Sequence, residues 1–302
     1  MRLGRRPCGR LVPLMDAFVD PPAGEVRAVV ARALAEDLTP LGDVTSMLLD
    51  RSRTATGRFV ARVEGRLSGG ACVSETFHQV DPALVLDWQL ADGSEVGPGT
   101  LIGTVTGPLA SMLTAERTAL NLLGHLSGVA TLAARFRAAA DPSTHVWDTR
   151  KTTPGLRSLE KAAVRAGGCV NHRGNLSEWV MLKDNHLVGV GIAEGVARAK
   201  AAWPGRTVQV ECDRPAQVEE AVAAGADAVL LDNMSVDEAA ACIATVRAAD
   251  PRCLVEISGG ITLDTIGPYS RIGADCISVG AITNSAPVLD IGLDITPGEG
   301  AP

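Results

Sequence analysis

What most constrains the fold of this chain is a rhythm in its second half. Short apolar runs, most ending in a polar or charged residue, alternate with segments of helical pattern. The runs are Val146-Trp147-Asp148, Val180-Met181-Leu182-Lys183, Val208-Gln209-Val210-Glu211, Ala228–Asp232, Leu254–Ser258 and Cys276–Gly280. Ala216–Ala224 and Val236–Ala249 read as helices between them. The ends at Glu211, Asp232, Ser258 and Gly280 stand 21, 26 and 22 residues apart. A strand, a crossover helix and a parallel neighbour fit that spacing, so the pattern predicts a parallel barrel or a doubly wound sheet. Six strands are clear and Cys169-Val170 suggests a weak seventh, which does not establish eight-stranded closure.

The pattern changes near residue 120. This divides the chain into a basic tail over 1–16, a first domain over 17–120 and a second over 121–285. After Pro21-Pro22, the spacing of Val26, Val29, Val30, Ala33 and Leu34 gives a helix one apolar face. Strand-like segments follow over 55–64, 85–90 and 93–106, with Gly93, Gly97, Pro98 and Gly99 supplying turns. Glycine-rich hairpins of this kind also occur in biotinyl and lipoyl carriers, which need an acceptor lysine. The first lysine here is Lys151, so the segment is a structural sheet. A long helix is expected over 115–140, with Leu122, Leu126, Val129 and Phe136 near one face. Arg117, Asn121 and His125 make a polar stripe on another, either solvated or functional. Gly124 and Gly128 each cost such a helix about 0.8–1 kcal/mol against alanine. Close approach of another backbone would explain them.

A formal net charge of −7 and a pI near 5.3 argue against a nucleic-acid or anionic-membrane surface. The first residues are locally basic through Arg2, Arg5, Arg6 and Arg10, but Leu11–Met15 is too short for the apolar core of a signal sequence. No run approaches the ~18 apolar residues of a membrane span. A cytoplasmic protein is expected. The seven cysteines show no CxxC or Cys/His metal spacing, and most lie in or beside apolar runs, as reduced core residues do.

In parallel α/β barrels the chemistry sits at the C-terminal ends of the strands. Those ends here carry Arg150 and Lys151, His172 and Arg173, Lys183 and Asp184, Glu211, Asp232 and Asn233, and Ser258. Any one of these could be a loop residue meeting water; their convergence on one face is harder to dismiss. Two of only four lysines, Lys151 and Lys183, fall there. The turns Ser258-Gly259-Gly260-Ile261 and Ser278-Val279-Gly280-Ala281 could hold a phosphate on backbone N–H groups, or could simply need positive φ. Arginine's planar fork suits carboxylates, and acids in a cationic pocket suit ribose hydroxyls or Mg²⁺ on a polyphosphate. Together the ends ask for a small polycarboxylate and a phosphorylated sugar.

At these residues the chain resembles the quinolinate phosphoribosyltransferases. The resemblance rests on Gly42-Asp43-Val44-Thr45-Ser46, Glu116–Asn121, Asp148–Gly155, Val170–Arg173, Leu182–His186, Leu231–Met234, Glu256–Ile261 and Ile277–Ala281, in order, over about residues 25 to 292. It implies an N-terminal α/β sandwich joined to an open, incomplete α/β (TIM-like) barrel, with 286–302 packing back on the first domain. It further implies a homodimer in which Arg117 enters the neighbouring site. Arg150, His172, Arg173 and Lys183 would hold the carboxylates of quinolinate. Lys151, Glu211 and Asp232 would serve ribose, pyrophosphate and Mg²⁺, and Ser258, Gly259, Gly260, Gly280 and Ala281 the 5′-phosphate. Two departures stand near the expected site: Asn284 where many relatives have histidine, and Gly174-Asn175 where many have Met-Gly. Three rival readings remain: a paralogue with another acceptor, a Schiff-base aldolase using Lys183 or Lys151, and a non-catalytic phosphate- or sugar-binding module.

Overall fold

The computed structural model describes residues 20–297; the expected basic tail over 1–16 and residues 298–302 of the expected return segment lie outside the described residues. The first part runs α1 (Ala23–Leu38), a 3₁₀ turn (Ser46–Leu48), β1 (Thr54–Ala61), β2 (Gly65–Arg66), α2 (Gly70–Val80), β3 (Val85–Trp88), β4 (Glu95–Val96), β5 (Leu101–Pro108) and α3 (Leu109–Ala139). The second part runs β6 (His145–Trp147), α4 (Arg157–Ala166), β7 (Val180–Leu182), α5 (Asp184–Leu187), α6 (Ile192–Ala202), β8 (Val208–Cys212), α7 (Pro215–Ala223), β9 (Ala228–Asp232), α8 (Val236–Ala249), β10 (Leu254–Ser258), α9 (Ile266–Ser270), β11 (Cys276–Ser278), α10 (Ala281–Asn284) and β12 (Ile291–Pro297).

Two sheets divide the work. The first is antiparallel, in the order β12-β1-β5-β3. Most of β1 alternates exposed and buried residues, and its buried Ala55, Phe59 and Ala61 join Val73 and Phe77 of α2 in one apolar cluster. β12 follows the last barrel element, yet pairs with β1 from Ala55↔Pro297 to Ala61↔Ile291. The chain end therefore returns to the first sheet.

The second sheet is parallel, in the order β6-β11-β10-β9-β8-β7, and Val170 bridges to Trp147 beyond β6. The expected weak seventh strand is thus a single bridge. No pairing joins it to β7, so the barrel stays open there. Period-2 alternation sorts the strand residues between two environments. Val146, Val208, Val210, Val229, Leu231, Val255, Ile257 and Ile277 lie in the apolar cluster shared with the surrounding helices. The residues between them, among them Met181, Leu230 and Glu256, line the interior.

α3 joins the two units. At 31 residues it is about 46 Å long. Met112, Ala115, Ala119, Leu120 and Leu123 belong to the first unit's core, and Leu126, Val129, Ala133 and Phe136 to the barrel's. It begins at Leu109, six residues before the expected start, because Pro108 ends β5 and serves as its N-cap. A Cβ on Gly124 would lie 2.9 Å from the Leu289 carbonyl oxygen, and one on Gly128 would overlap the Pro287 carbonyl. The two glycines let the returning segment cross α3 at backbone distance, as their mid-helix cost suggests.

Candidate active site

The strand ends of the parallel sheet surround a cavity of about 550 Å³. Its wall contains Arg150, Lys151, His172, Arg173, Lys183, Glu211, Asp232, Ser258, Gly259 and Gly260, ten of the thirteen residues expected there. Gly280 lies behind Lys151: a Cβ on it would fall 2.9 Å from the lysine Cδ. Ala281 opens α10 and is not part of the wall. Arg117 is exposed on α3, two turns from the partly buried His125, which bonds Glu160 across to α4 at 2.8 Å. The expected polar stripe is therefore split between a solvated part and an interhelical contact.

The cations cluster on one side. Burial first, and the neighbouring Arg150 charge next, hold Arg173 below the usual guanidinium range. Arg150 Nε is buried with no hydrogen-bond partner. The Arg173 guanidinium donates to the Trp179 carbonyl at 3.2 Å and the Met181 sulfur at 3.4 Å. Two guanidinium groups thus stand close and partly desolvated, and neither forms a salt bridge with a carboxylate among the described residues. Lys183 forms an ion pair with Glu211, a setting for a cation rather than for a neutral amine nucleophile.

The opposite rim is built from tight turns. Asn233 has φ 57°, a left-handed conformation that costs a non-glycine residue, and Gly259 has φ 93°. The Asn233 N–H donates to the Ser258 carbonyl at 3.0 Å, and its side-chain amide donates to Asp232 Oδ2 at 2.8 Å. A Cβ on Gly259 would overlap the Asn233 side chain, so only glycine fits. Gly260, at φ 60°, faces open space. Gly280 has a right-handed backbone, so its turn makes no positive-φ demand. Ser278 Oγ and Ser258 Oγ lie 3.0 Å apart across the two turns. Behind Asp232, Ser235 and Glu238 close a capping box that starts α8 immediately after the turn.

Beneath the rim lies a polar network that the sequence reading passed over. Glu256 is 1% exposed, and its Oε2 meets His172 Nε2 at 3.1 Å and accepts from Gln209 Nε2 at 2.6 Å. Asp148 and Lys161 are a buried pair at 2.6 Å. Burial pushes the Asp148 carboxyl up and the Lys161 ammonium down, against their mutual attraction. Asp148 also accepts from the His172 N–H at 2.7 Å, and Lys161 donates to the His172 carbonyl at 3.0 Å. A charged or amide residue inside an apolar strand, as at Gln209 and Glu256, was the available signal. The Asp148–Lys161 pairing leaves no trace in spacing.

Neither departure forms part of the cavity wall. Asn284 is exposed on α10 and accepts from Ser285 Oγ. Gly174 and Asn175 are tied to Glu178 and border a separate cavity of about 850 Å³ with Arg157 and Lys161. Gly174 nevertheless adjoins the wall residue Arg173, and Arg157 donates to both the Gly174 carbonyl at 3.1 Å and the Arg150 carbonyl at 3.5 Å.

Among the described residues, no three His, Cys, Asp or Glu side chains gather as a metal cage. Besides the buried Glu256, the cavity wall carries the carboxylates of Glu211 and Asp232, oxygen donors of the kind that could hold Mg²⁺.

Residues 129–294 match the family model for the quinolinate phosphoribosyl transferase C-terminal domain, and residues 43–127 match that for its N-terminal domain. The chain is 39% identical over 262 residues to a probable carboxylating nicotinate-nucleotide pyrophosphorylase of Bacillus subtilis, covering 84% of this chain and 88% of that protein. It is 37% identical over 275 residues to the carboxylating nicotinate-nucleotide pyrophosphorylase of Mycobacterium leprae, covering 89% and 96%. Among solved structures, NadC from Streptococcus pyogenes superposes with a TM-score of 0.88 at 36% identity, covering 93% of this chain and 99% of that one. The nicotinate-nucleotide pyrophosphorylase of Francisella tularensis superposes at 0.87 with 34% identity, covering 92% and 98%.

Proposed function

The chain belongs to the quinolinate phosphoribosyltransferase family, and from that premise we propose that it joins quinolinate to phosphoribosyl pyrophosphate, giving nicotinate mononucleotide, CO₂ and pyrophosphate for NAD biosynthesis. The observation that carries this reading is the pair of partly desolvated guanidinium groups, Arg150 and Arg173, with Lys183 on the same cavity wall. Two fixed cations that form no salt bridge among the described residues, with Glu256 and Glu178 acting on Arg173 only from a distance, suit a small dianion, and arginine suits its carboxylates.

The rest of the wall then divides by chemistry. Ser258, Gly259 and Gly260, with Gly280 and Ala281 alongside, would receive the 5′-phosphate. Lys151 would meet the pyrophosphate, and Glu211 and Asp232 the ribose hydroxyls. The same two carboxylates would help hold Mg²⁺, which when bound neutralises charge on the departing pyrophosphate. As the bond from the sugar carbon to pyrophosphate breaks, positive charge develops on the ring, and Glu211 and Asp232 offset it. The pyridine nitrogen forms the new bond to that carbon. The resulting pyridinium accepts the electron pair of the bond to the 2-carboxylate, CO₂ leaves, and ring carbon 2 takes a proton. Arg150, Arg173 and Lys183 fix the acceptor so that the 3-carboxylate is retained. A Schiff-base aldolase would need Lys183 as a free amine, contrary to its pairing with Glu211.

Arg117 stands outside the cavity of its own chain. An exposed apolar strip lies near its helix: Leu41, Val44, Met47 and Leu48 are 57–84% exposed, and Leu113 is one turn before Arg117. Both features support a homodimer in which a second copy covers the strip and receives Arg117. The six buried free cysteines among the described residues suit a reducing, cytoplasmic setting, and no described helix is long and apolar enough to cross a membrane.

The test is turnover. With quinolinate, phosphoribosyl pyrophosphate and Mg²⁺ the purified protein should form nicotinate mononucleotide, and chelating Mg²⁺ should stop it. Folded protein that makes no nucleotide would contradict the choice of acceptor.

A further inference from the structure

Behind the cavity wall, α4 carries Arg157, Glu160 and Lys161 at i, i+3 and i+4, on one helical face. All three reach the segments that bear the acceptor cations. Glu160 Oε2 accepts from the Thr153 N–H at 3.1 Å, and Lys161 joins Asp148 to the His172 carbonyl. Arg157, the first residue of the helix, makes a second bridge nearer the two arginines. Its Nε donates to Thr152 Oγ1 at 3.0 Å, one Nη to the Gly174 carbonyl and the other, at longer range, to the Arg150 carbonyl. The planar fork thus ties the loop after β6 to the turn that follows Arg173. From the other side, Glu178 accepts from the Gly174 N–H at 2.8 Å and from the Asn175 amide at 3.1 Å.

Arg157 is half-buried and stands outside the cavity wall, so it can act only through the chain. Arg150 Nε finds no partner of its own, which leaves the aim of that guanidinium to its main chain. The next residue is held from elsewhere: the Lys151 carbonyl accepts from Thr283 Oγ1 at 2.8 Å. Resting on the acceptor reading above, we propose that Arg157 is a positioning residue for the acceptor, clamping the main chains of Arg150 and Gly174 so that the guanidinium groups of Arg150 and Arg173 keep the spacing that two carboxylates need. Gly174 and Asn175, the departures from the family pattern, belong to the clamped turn.

The experiment has two arms. In steady-state kinetics, Arg157→Met keeps an apolar stem and removes every donor. It should raise KM for quinolinate by at least about fivefold, with KM for phosphoribosyl pyrophosphate within about twofold. Arg157→Lys keeps the charge but offers one nitrogen to three acceptors, and should recover only part of the loss. The second arm is backbone hydrogen exchange of the full-length protein without substrate. Arg157→Met should speed exchange over 149–153 and 173–178 and leave the rim turn over 258–261 as in wild type. A KM for quinolinate near the wild-type value, an equal rise in both KM values, full recovery by lysine, or unchanged exchange in the two segments overturns the proposal. If Arg157→Met does not fold, Thr152→Val, which removes the Nε acceptor alone, carries both arms, with a rise of at least about twofold expected for quinolinate only. If wild-type protein does not turn quinolinate over, the function reading fails, while the exchange still tests the clamp.

Discussion

At the scale of single residues, the site is a set of charges whose partners decide their use. Glu211 and Lys183 satisfy one another, and Asp148 and Lys161 do so beneath the cavity. Arg150 and Arg173 are left facing the cavity with little to bond. Removing a preorganised donor that acts on the reacting substrate costs about 10²–10³-fold. Arg150→Ala and Lys183→Ala should each lower kcat/KM for quinolinate by about that factor. Retention of near-normal turnover by either would refute its assignment. These two residues were legible in the sequence because a charge ending an apolar run is costly to bury idly. Asn233 was visible only as a strand end; its left-handed backbone, which holds Asp232 and leaves room for glycine alone at 259, emerges only from the turn.

At the scale of elements, α3 carries the architecture. It contributes to both cores, and its two glycines admit the segment that leads to β12. Two effects compete in Gly128→Ala. Helix propensity favours alanine by about 0.8–1 kcal/mol. Against that, the new methyl would overlap a backbone carbonyl, and overpacking costs about 1–3 kcal/mol even where flexible side chains can yield. The overlap should win, so the variant should have a lower urea midpoint than wild type. An unchanged or higher midpoint would mean that the crossing segment yields. The strand ends and the purpose of these glycines could be read from periodicity and propensity. The early start of α3 could not, because Pro108 reads equally well as the end of a strand. The reduction of the Cys169-Val170 strand to one bridge is likewise a tertiary outcome.

At the scale of the whole molecule, one sheet builds the reaction vessel and the other, with α3, presents Arg117 away from that vessel. The parallel sheet was legible from the spacing of strand ends. The open barrel and its partner sheet came from the family resemblance, since local pattern does not encode closure. The proposed dimer makes Arg117 and Lys183 contributions from different chains to one site. Mixtures of inactive Arg117→Ala and Lys183→Ala proteins, allowed to exchange subunits, should regain activity as heterodimers with one intact site. Failure to regain any, with exchange demonstrated, would place both residues in one chain's site.

The most direct test of the central claim follows both fates of the acceptor in one reaction. Wild-type protein is given quinolinate labelled with ¹³C in the 2-carboxylate, phosphoribosyl pyrophosphate and Mg²⁺. The account predicts one labelled CO₂ for each nicotinate mononucleotide, with no label left in the nucleotide. Nucleotide that keeps the label, or CO₂ released without nucleotide, would contradict it.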